Sequence, residues 1–276
     1  MTFLAAAIQM TSGDYVAANI AQAQLLVAQA AAQGAAFVAL PENAFYMRRE
    51  GMAKAGDASM QAHAGIVWAK QAAKQHGIHL LIGSIRALES GDKPFNRSVL
   101  IAPTGEIAAT YDKLHLFDVN LPDGHSYAES SQALPGAAPA LVRTALGTFG
   151  LSICYDLRFA PMYRAMALAG AEILTVPSAF TRPTGQAHWH ILLRARAIEN
   201  ACYVIAPAQA GTHPGGRETY GHTLIVDPWG TIIAEAEGGA PQVVMAHIDL
   251  AKLQQVRAQI PVLQHHRELA NPIITG

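Results

Sequence analysis

Phe37-Val38-Ala39-Leu40-Pro41-Glu42 decides how the rest of the chain is read. Four apolar residues stopped by a proline have the length and punctuation of a buried strand, and the strand delivers the carboxylate of Glu42 where it leaves the core. Just upstream, residues 16–33 are alanine-rich, with Asn19, Gln22, Gln29 and Gln33 at helical offsets before Gly34. Residues 3–9 read as an earlier strand. Strand, helix, strand opens an α/β domain. Downstream the alternation continues, with helices expected at 61–76, 162–169 and 189–200. Strands are expected at 79–84, 98–102, 106–111, 150–153, 173–176 and 203–208. Hairpin-like strands at 223–226, 232–236 and 243–248, with Asp227-Pro228-Trp229-Gly230 as a turn, precede a last helix at 250–259. No linker, low-complexity tract or fixed-period repeat interrupts the pattern, so residues 1–276 are expected to form a single layered α/β domain with mixed sheets.

Composition narrows the functions available. Of the 276 residues 51% are hydrophobic and only 14% charged, which excludes intrinsic disorder. With 19 Lys and Arg against 20 Asp and Glu, there is no basic field for nucleic acid to condense on. Two cysteines, Cys154 and Cys202, are too few and too far apart for a disulfide scaffold or a CxxC pair. Residues 15–41 carry no charge and are long enough to span a bilayer, but the polar stripe and the alanine content read as a soluble amphipathic helix. The first ten residues lack a cationic n-region, so a cytoplasmic protein is expected. Asn96-Arg97-Ser98 matches a glycosylation sequon and is read as chance. So little charge on a chain of this size also implies a covered surface, hence a homodimer or higher homo-oligomer.

Several catalytic templates are absent: GxSxG, HExxH, GxGxxG and the P-loop. His188 and His190 form an HxH, but no carboxylate-rich motif stands beside them, so no metal site is expected. Three polar residues do stand at the ends of strand-like runs. Glu42 follows 37–40, Lys113 follows 106–111, and Cys154 follows 150–153 ahead of a helix. Strand ends of α/β sheets are where catalytic groups gather. Taken singly, each has a plainer explanation: Glu42 as a helix cap, Lys113 as a solvated lysine, Cys154 as a small packed hydrophobe. Cys202, within Ala201-Cys202-Tyr203-Val204, has no acid or base nearby and keeps the packing explanation.

The context of the three resembles the nitrilase superfamily of carbon–nitrogen hydrolases, whose catalytic Glu, Lys and Cys occur in this order. Leu40-Pro41-Glu42 is similar to its glutamate motif, Asp112-Lys113-Leu114-His115-Leu116-Phe117-Asp118 to its lysine motif, and Cys154-Tyr155-Asp156-Leu157-Arg158-Phe159 to its nucleophile motif. Glu129, ahead of Pro135-Gly136, stands where the family carries a second glutamate. Ala187-His188-Trp189, the run 192–200 and Tyr220-Gly221-His222 with Val226-Asp227-Pro228-Trp229-Gly230 resemble the Nit branch in particular. One departure stands out: Ala160-Pro161 follows Phe159 where the branch usually reads Pro-Glu. The resemblance implies an α-β-β-α sandwich and an amidase without metal or organic cofactor. It implies hydrolysis of a small carboxylate-bearing amide to acid and ammonia through a thioester. Deaminated glutathione is the expected substrate. The alternatives are a 2-oxo dicarboxylic monoamide such as α-ketoglutaramate, or an N-carbamoyl compound, the last disfavoured because that branch carries an arginine where Leu157 stands. A non-catalytic binding relative would have no need of a nucleophile.

On this reading Glu42, a stronger base when withdrawn from water, takes the thiol proton while Lys113 stabilises the thiolate. Lys113 and the backbone N–H of Tyr155 hold the oxyanion, and Glu129 steadies Lys113. Arg158, one helical turn past Cys154, either captures a substrate carboxylate or pairs with Asp156. Arg182, on an expected loop, is a second carboxylate reader, and Phe180 and Trp189 either wall the pocket or simply pack.

Overall fold

The computed structural model describes residues 1–47, 57–89, 91–121, 124–271 and 274. Among these, two six-stranded mixed sheets stack face to face. The first is ordered β16 (Gln242–Asp249), β1 (Thr2–Gln9), β2 (Phe37–Ala39), β3 (His79–Ala87), β4 (Phe95–Ile101), β5 (Ile107–Asp112). The second runs β15 (Ile232–Glu235), β14 (Leu224–Val226), β11 (Tyr203–Ala206), β10 (Ile173–Thr175), β9 (Gly147–Leu151), β8 (Ala140–Thr144). Two small hairpins, β6 (Asp118–Asn120) with β7 (Ser126–Ala128) and β12 (Ala210–Thr212) with β13 (Glu218–Tyr220), lie outside them.

β2 is parallel to both of its neighbours and buried on both faces, which is why its sequence is continuously apolar rather than alternating. Phe37 on its inner face stacks on Phe149 of the opposite sheet, ring centroids 4.6 Å apart. Burying a side chain of that size contributes about 1.5–3 kcal/mol. The outer faces are covered by helices. α1 (Val16–Ala32) and α2 (Ala64–His76) pack through Ala23, Val27, Ile66 and Ala69 on the first sheet. α3 (Ala160–Leu168) and α4 (Arg182–Asn200) pack on the second through Met162, Met166, Trp189 and Leu193. A last helix, α5 (Leu250–Gln259), follows β16. The result is the α-β-β-α sandwich that the motifs implied.

Differences from the sequence reading have local causes. The stripe expected on α1 is not uniformly solvated: Asn19 is buried, bonding the N–H and carbonyl of Gly13 and the carbonyl of Phe45. α4 begins at Arg182 rather than 189, because Pro183 sits in its first turn, where a missing N–H costs nothing. Arg182 is therefore helical, and Trp189 is mid-helix. Among the described residues no helix is long and apolar enough to cross a membrane.

Candidate active site

Three chain passages, each fixed by backbone contacts, bring Glu42, Lys113 and Cys154 to one place. Leaving β2, Leu40 donates to Leu81 O at 2.8 Å. β3 passes so close that a Cβ at Gly83 would lie 2.2 Å from the carbonyl oxygen of Leu40, so only glycine fits. Asn43 then turns the chain at φ 55°, its N–H donating to Ser84 Oγ at 3.0 Å, and Gln209 Nε2 donates to the carbonyl of Glu42 at 3.0 Å. Lys113 leaves β5 with its N–H on Asn96 O and its carbonyl accepting from Gly136, both at 2.9 Å. A Cβ at Gly136 would meet Asp112 O at 2.1 Å, which explains the glycine of the Pro135-Gly136 turn.

Cys154 sits at φ 50°, a backbone conformation costly for a side chain with a Cβ, held by its N–H on Pro177 O at 2.9 Å. Asp156 is the second fastening. Its buried carboxylate accepts from Ile153 N (2.9 Å), Tyr111 Oη (2.7 Å) and His115 N (3.1 Å), tying the nucleophile turn to the lysine segment. Asp156 is thus fully engaged and makes no pair with Arg158.

The polar groups form one connected network. Lys113 Nζ donates to Glu42 Oε1 at 3.0 Å and to Glu129 Oε2 at 2.8 Å. Asn96 Nδ2 donates to the same two carboxylates, to Glu42 Oε1 at 3.0 Å and Glu129 Oε1 at 2.9 Å. Ala179 N donates to Glu42 Oε2 and Phe117 N to Glu129 Oε2, at 2.9 and 2.7 Å. Glu42, Asn96, Lys113 and Cys154 are all at most 8% exposed. Burial works against the charge on Lys113, but Glu129, Glu42 and the cysteine more than offset it, holding the ammonium well above its ordinary pKa. Burial likewise opposes the charge on Glu129, and Lys113 with the hydrogen bonds from Asn96 and Phe117 brings it below the usual carboxylate value. The thiol of Cys154 goes the other way. Burial pushes it far up and the Glu42 carboxylate adds to that, while Lys113 and Ala179 N–H oppose without prevailing. Burial and Glu42 thus favour the protonated form of the thiol, with Glu42 hydrogen-bonded beside it.

Tyr155 occupies the first turn of a 3₁₀ helix, Cys154–Arg158. At three residues per turn, Arg158 is not stacked over Cys154 as an α-helix would place it. Its guanidinium lies between the rings of Tyr155 (5.8 Å) and Phe180 (5.4 Å), 3.3 Å from His188 Nδ1. Phe180 packs on Trp189 with centroids 4.9 Å apart, and the buried Trp189 donates its indole N–H to His222 O, so Trp189 is a packing residue behind Phe180. Arg182 lies elsewhere. It is exposed, pairs with Glu218 at 3.4 Å, and lines a separate cavity of about 250 Å³ with Gln186, Glu218, Tyr220 and His222. That cavity contains none of the thiol, lysine and carboxylate groups.

Two residues at the site had no sequence signal of their own. Asn96 was visible only as a sequon, yet it is 4% exposed, inside β4, bridging two carboxylates. Arg217 donates Nη2 to Ala179 O at 2.9 Å, lies 5.4 Å from the ring of Tyr127, and has a buried Nε without a partner. Among the described residues no carboxylate pairs with Arg158 or Arg217.

The carbon–nitrogen hydrolase family pattern matches residues 4–258. The chain belongs to that family and is an amidase of the nitrilase superfamily. Deaminated glutathione amidase of Synechocystis sp. is 45% identical over 267 residues, covering 95% of this chain and 97% of the relative. Among solved structures, the C. elegans NitFhit protein superposes with TM-score 0.88 at 35% identity over 96% of this chain, which spans 65% of that longer protein. A mutant of the amidase from Nesterenkonia sp. AN1 is 25% identical with TM-score 0.77, over 94% of this chain and 98% of that one. It shows Michael addition of acrylamide at the active site cysteine.

Proposed function

We propose that the chain hydrolyses deaminated glutathione, with Cys154 as nucleophile, Glu42 as the proton shuttle and Lys113 with Tyr155 N–H as oxyanion donors. The observation that carries this reading is the connected Glu42–Lys113–Glu129–Asn96 network against a strained, buried thiol. As Sγ attacks the amide carbon, its proton passes to Glu42, and the carbonyl electrons move to oxygen, where Lys113 meets the charge. Collapse re-forms the carbonyl and expels the amine, which takes the proton from Glu42. Glu42 then deprotonates a water that attacks the thioester, and the thiol regains its proton as the acid leaves. Glu129 and Asn96 keep Lys113 and Glu42 oriented throughout.

Two arginines that pair with no carboxylate among the described residues favour deaminated glutathione over α-ketoglutaramate. The former carries a carboxylate on each side of the scissile bond, the latter on one side only. Arg158 and Arg217, not Arg182, are the proposed readers, each through a charge-assisted fork. This choice also corrects the expected product, since deaminated glutathione releases the dipeptide cysteinylglycine and only primary amides release ammonia. The likeness to the Synechocystis amidase supports the same substrate. Two unpaired cysteines suit a reducing, cytoplasmic setting. Exposed Ile191 and Ile198 on α4 supply apolar surface for a homodimer, and the family match over 4–258 supports one domain. The test is turnover of deaminated glutathione, α-ketoglutaramate, glutamine and propionamide, followed by mass spectrometry of the acid formed. Faster turnover of α-ketoglutaramate than of deaminated glutathione would overturn the substrate assignment.

A further inference from the structure

Of the HxH, His188 turns to Arg158, and His190 acquires in the fold the carboxylate that the motif lacks in sequence. His190 Nε2, on α4, and His222 Nδ1, just after β13, both lie 2.8 Å from Glu235 Oε1 at the end of β15. The three donor atoms lie within 4.8 Å of one another. We propose that His190, His222 and Glu235 form a binding site for a zinc-like divalent cation, clamping α4 to the β13–β14 turn and β15.

Two imidazoles and one carboxylate are the donor set that borderline transition metals prefer, whereas Mg²⁺ and Ca²⁺ seek oxygen ligands. Three protein ligands leave at least one position for water, and side chains 30–33% exposed give water access to it. Tetrahedral ligands about 2.1 Å from a metal stand roughly 3.4 Å apart. Binding would open each 2.8 Å contact by about half an ångström and draw any wider pair of donors, which lie within 4.8 Å of one another, to that spacing. In the metal-free chain both ring nitrogens donate to Glu235. On binding, a ligating nitrogen must present its lone pair, so any proton it carries moves to the other ring nitrogen or to solvent.

The rings are held in place beforehand. His222 stacks on Tyr220 at 4.4 Å, His190 meets Tyr220 edge-on at 5.9 Å, and Trp189 Nε1 donates to His222 O at 2.8 Å. His222 itself is at φ 55°, a left-handed conformation that the surrounding contacts must sustain. Such support limits the ordering cost of ligation.

The experiment is titration of Zn²⁺ into the full chain against a chromogenic chelator, repeated with H190A, E235Q and C154A, each first shown to keep its metal-free melting temperature. The expected result is one tight site per chain, retained in C154A and weakened at least about tenfold in H190A and E235Q, the scale at which loss of a metal-orienting group is felt. Zn²⁺ should raise the melting temperature of the wild type and of C154A but not of E235Q. No stoichiometric binding, or zinc lost in C154A and kept in H190A and E235Q, would overturn the site and assign zinc to the catalytic thiol. Should H190A misfold, E235Q alone decides, because Glu235 is at a strand end and half-exposed.

Discussion

Cys154 and Cys202 lie in the same core cluster, are both buried, and both have thiols pushed up in pKa by that burial, Cys202 to about 11. Burial therefore does not separate the proposed nucleophile from the packing residue. Nor does a nearby cation: Arg257 Nη2 is 3.3 Å from Cys202 Sγ, as Lys113 attends Cys154. The difference is a base in contact. In hydrogen-bond contact with Cys202 stand the carbonyls of Ala171 and Asn200, at 3.2 and 3.3 Å, and a guanidinium, none of which can take a proton near neutrality, while the Glu172 carboxylate acts on the thiol only through its charge. Around Cys154 stands a carboxylate, and the backbone is held in a left-handed conformation to present the sulfur to it. On the proposed mechanism, a reactive thiol is made by a hydrogen-bonded proton acceptor and a strained turn, not by depth or positive charge.

The largest break in the comparison is Cys154→Ser. A hydroxyl is far less acidic than a thiol, so turnover should fall by at least about four decades with the fold intact. In wild type, acid-quenched samples should carry the acyl mass on the peptide containing Cys154. Acyl mass on Cys202 would reverse the assignment.

Next come the groups that distinguish the two environments. Lys113→Ala should lower kcat by roughly two to three decades, the scale of a lost oxyanion donor. Glu42→Gln should cost more, because it disables both half-reactions. Single-turnover measurements should show no acyl burst in Glu42→Gln. Asn96→Ala takes one hydrogen bond from each of two charged carboxylates. Charge-assisted bonds contribute about 1.5–3 kcal/mol each, so a loss of about tenfold to a hundredfold in kcat is expected, with KM changed little. Wild-type kcat in Asn96→Ala would make the bridge a structural one.

Arg158→Lys and Arg217→Lys should each raise KM for deaminated glutathione by about one to two decades, since lysine cannot reproduce the two-pronged contact. Only one of the two should affect α-ketoglutaramate, which identifies the arginine on the acyl side. Arg182→Lys should change neither substrate, because its exposed pair with Glu218 is of the kind that contributes little.

The parts of this site legible in the sequence are those that ride on strand ends. Glu42, Lys113 and Cys154 each follow an apolar run, and apolar runs are what periodicity detects. Asn96 and Arg217 were not legible, because they reach the site from the start of β4 and from the loop before β13, where no change of pattern marks a polar residue as facing inward. Arg158 was placed one α-helical turn past the nucleophile because nothing in Cys-Tyr-Asp-Leu-Arg distinguishes a 3₁₀ turn from an α turn. The distinction comes from Asp156, whose carboxylate reaches back to Ile153 N and across to Tyr111. The short edge strands, β6, β7, β8, β12 and β13, were missed for a similar reason: their half-exposed residues alternate too briefly to register.

The smallest effect sharpens the comparison most. Cys202→Ser should leave kcat and KM within about twofold, because among the described residues none of its hydrogen-bond partners, Ala171, Asn200 and Arg257, bonds to Glu42, Asn96, Lys113 or Glu129. The hydroxyl can donate to the Ala171 or Asn200 carbonyl already facing the sulfur, so it is not left unsatisfied. What is lost is the fit of a larger, more polarizable atom in a fully buried position. That loss should stay below about 2 kcal/mol, or a few degrees in melting temperature. Cys202→Ala isolates the hydrogen-bonding part. If the thiol's contacts to the two carbonyls contribute little, alanine should match serine in stability. If alanine is the less stable by more than about 1 kcal/mol, the carbonyls depend on a donor there. A fall in kcat in either variant, with melting temperature unchanged, would mean that the two thiols are coupled through the second sheet.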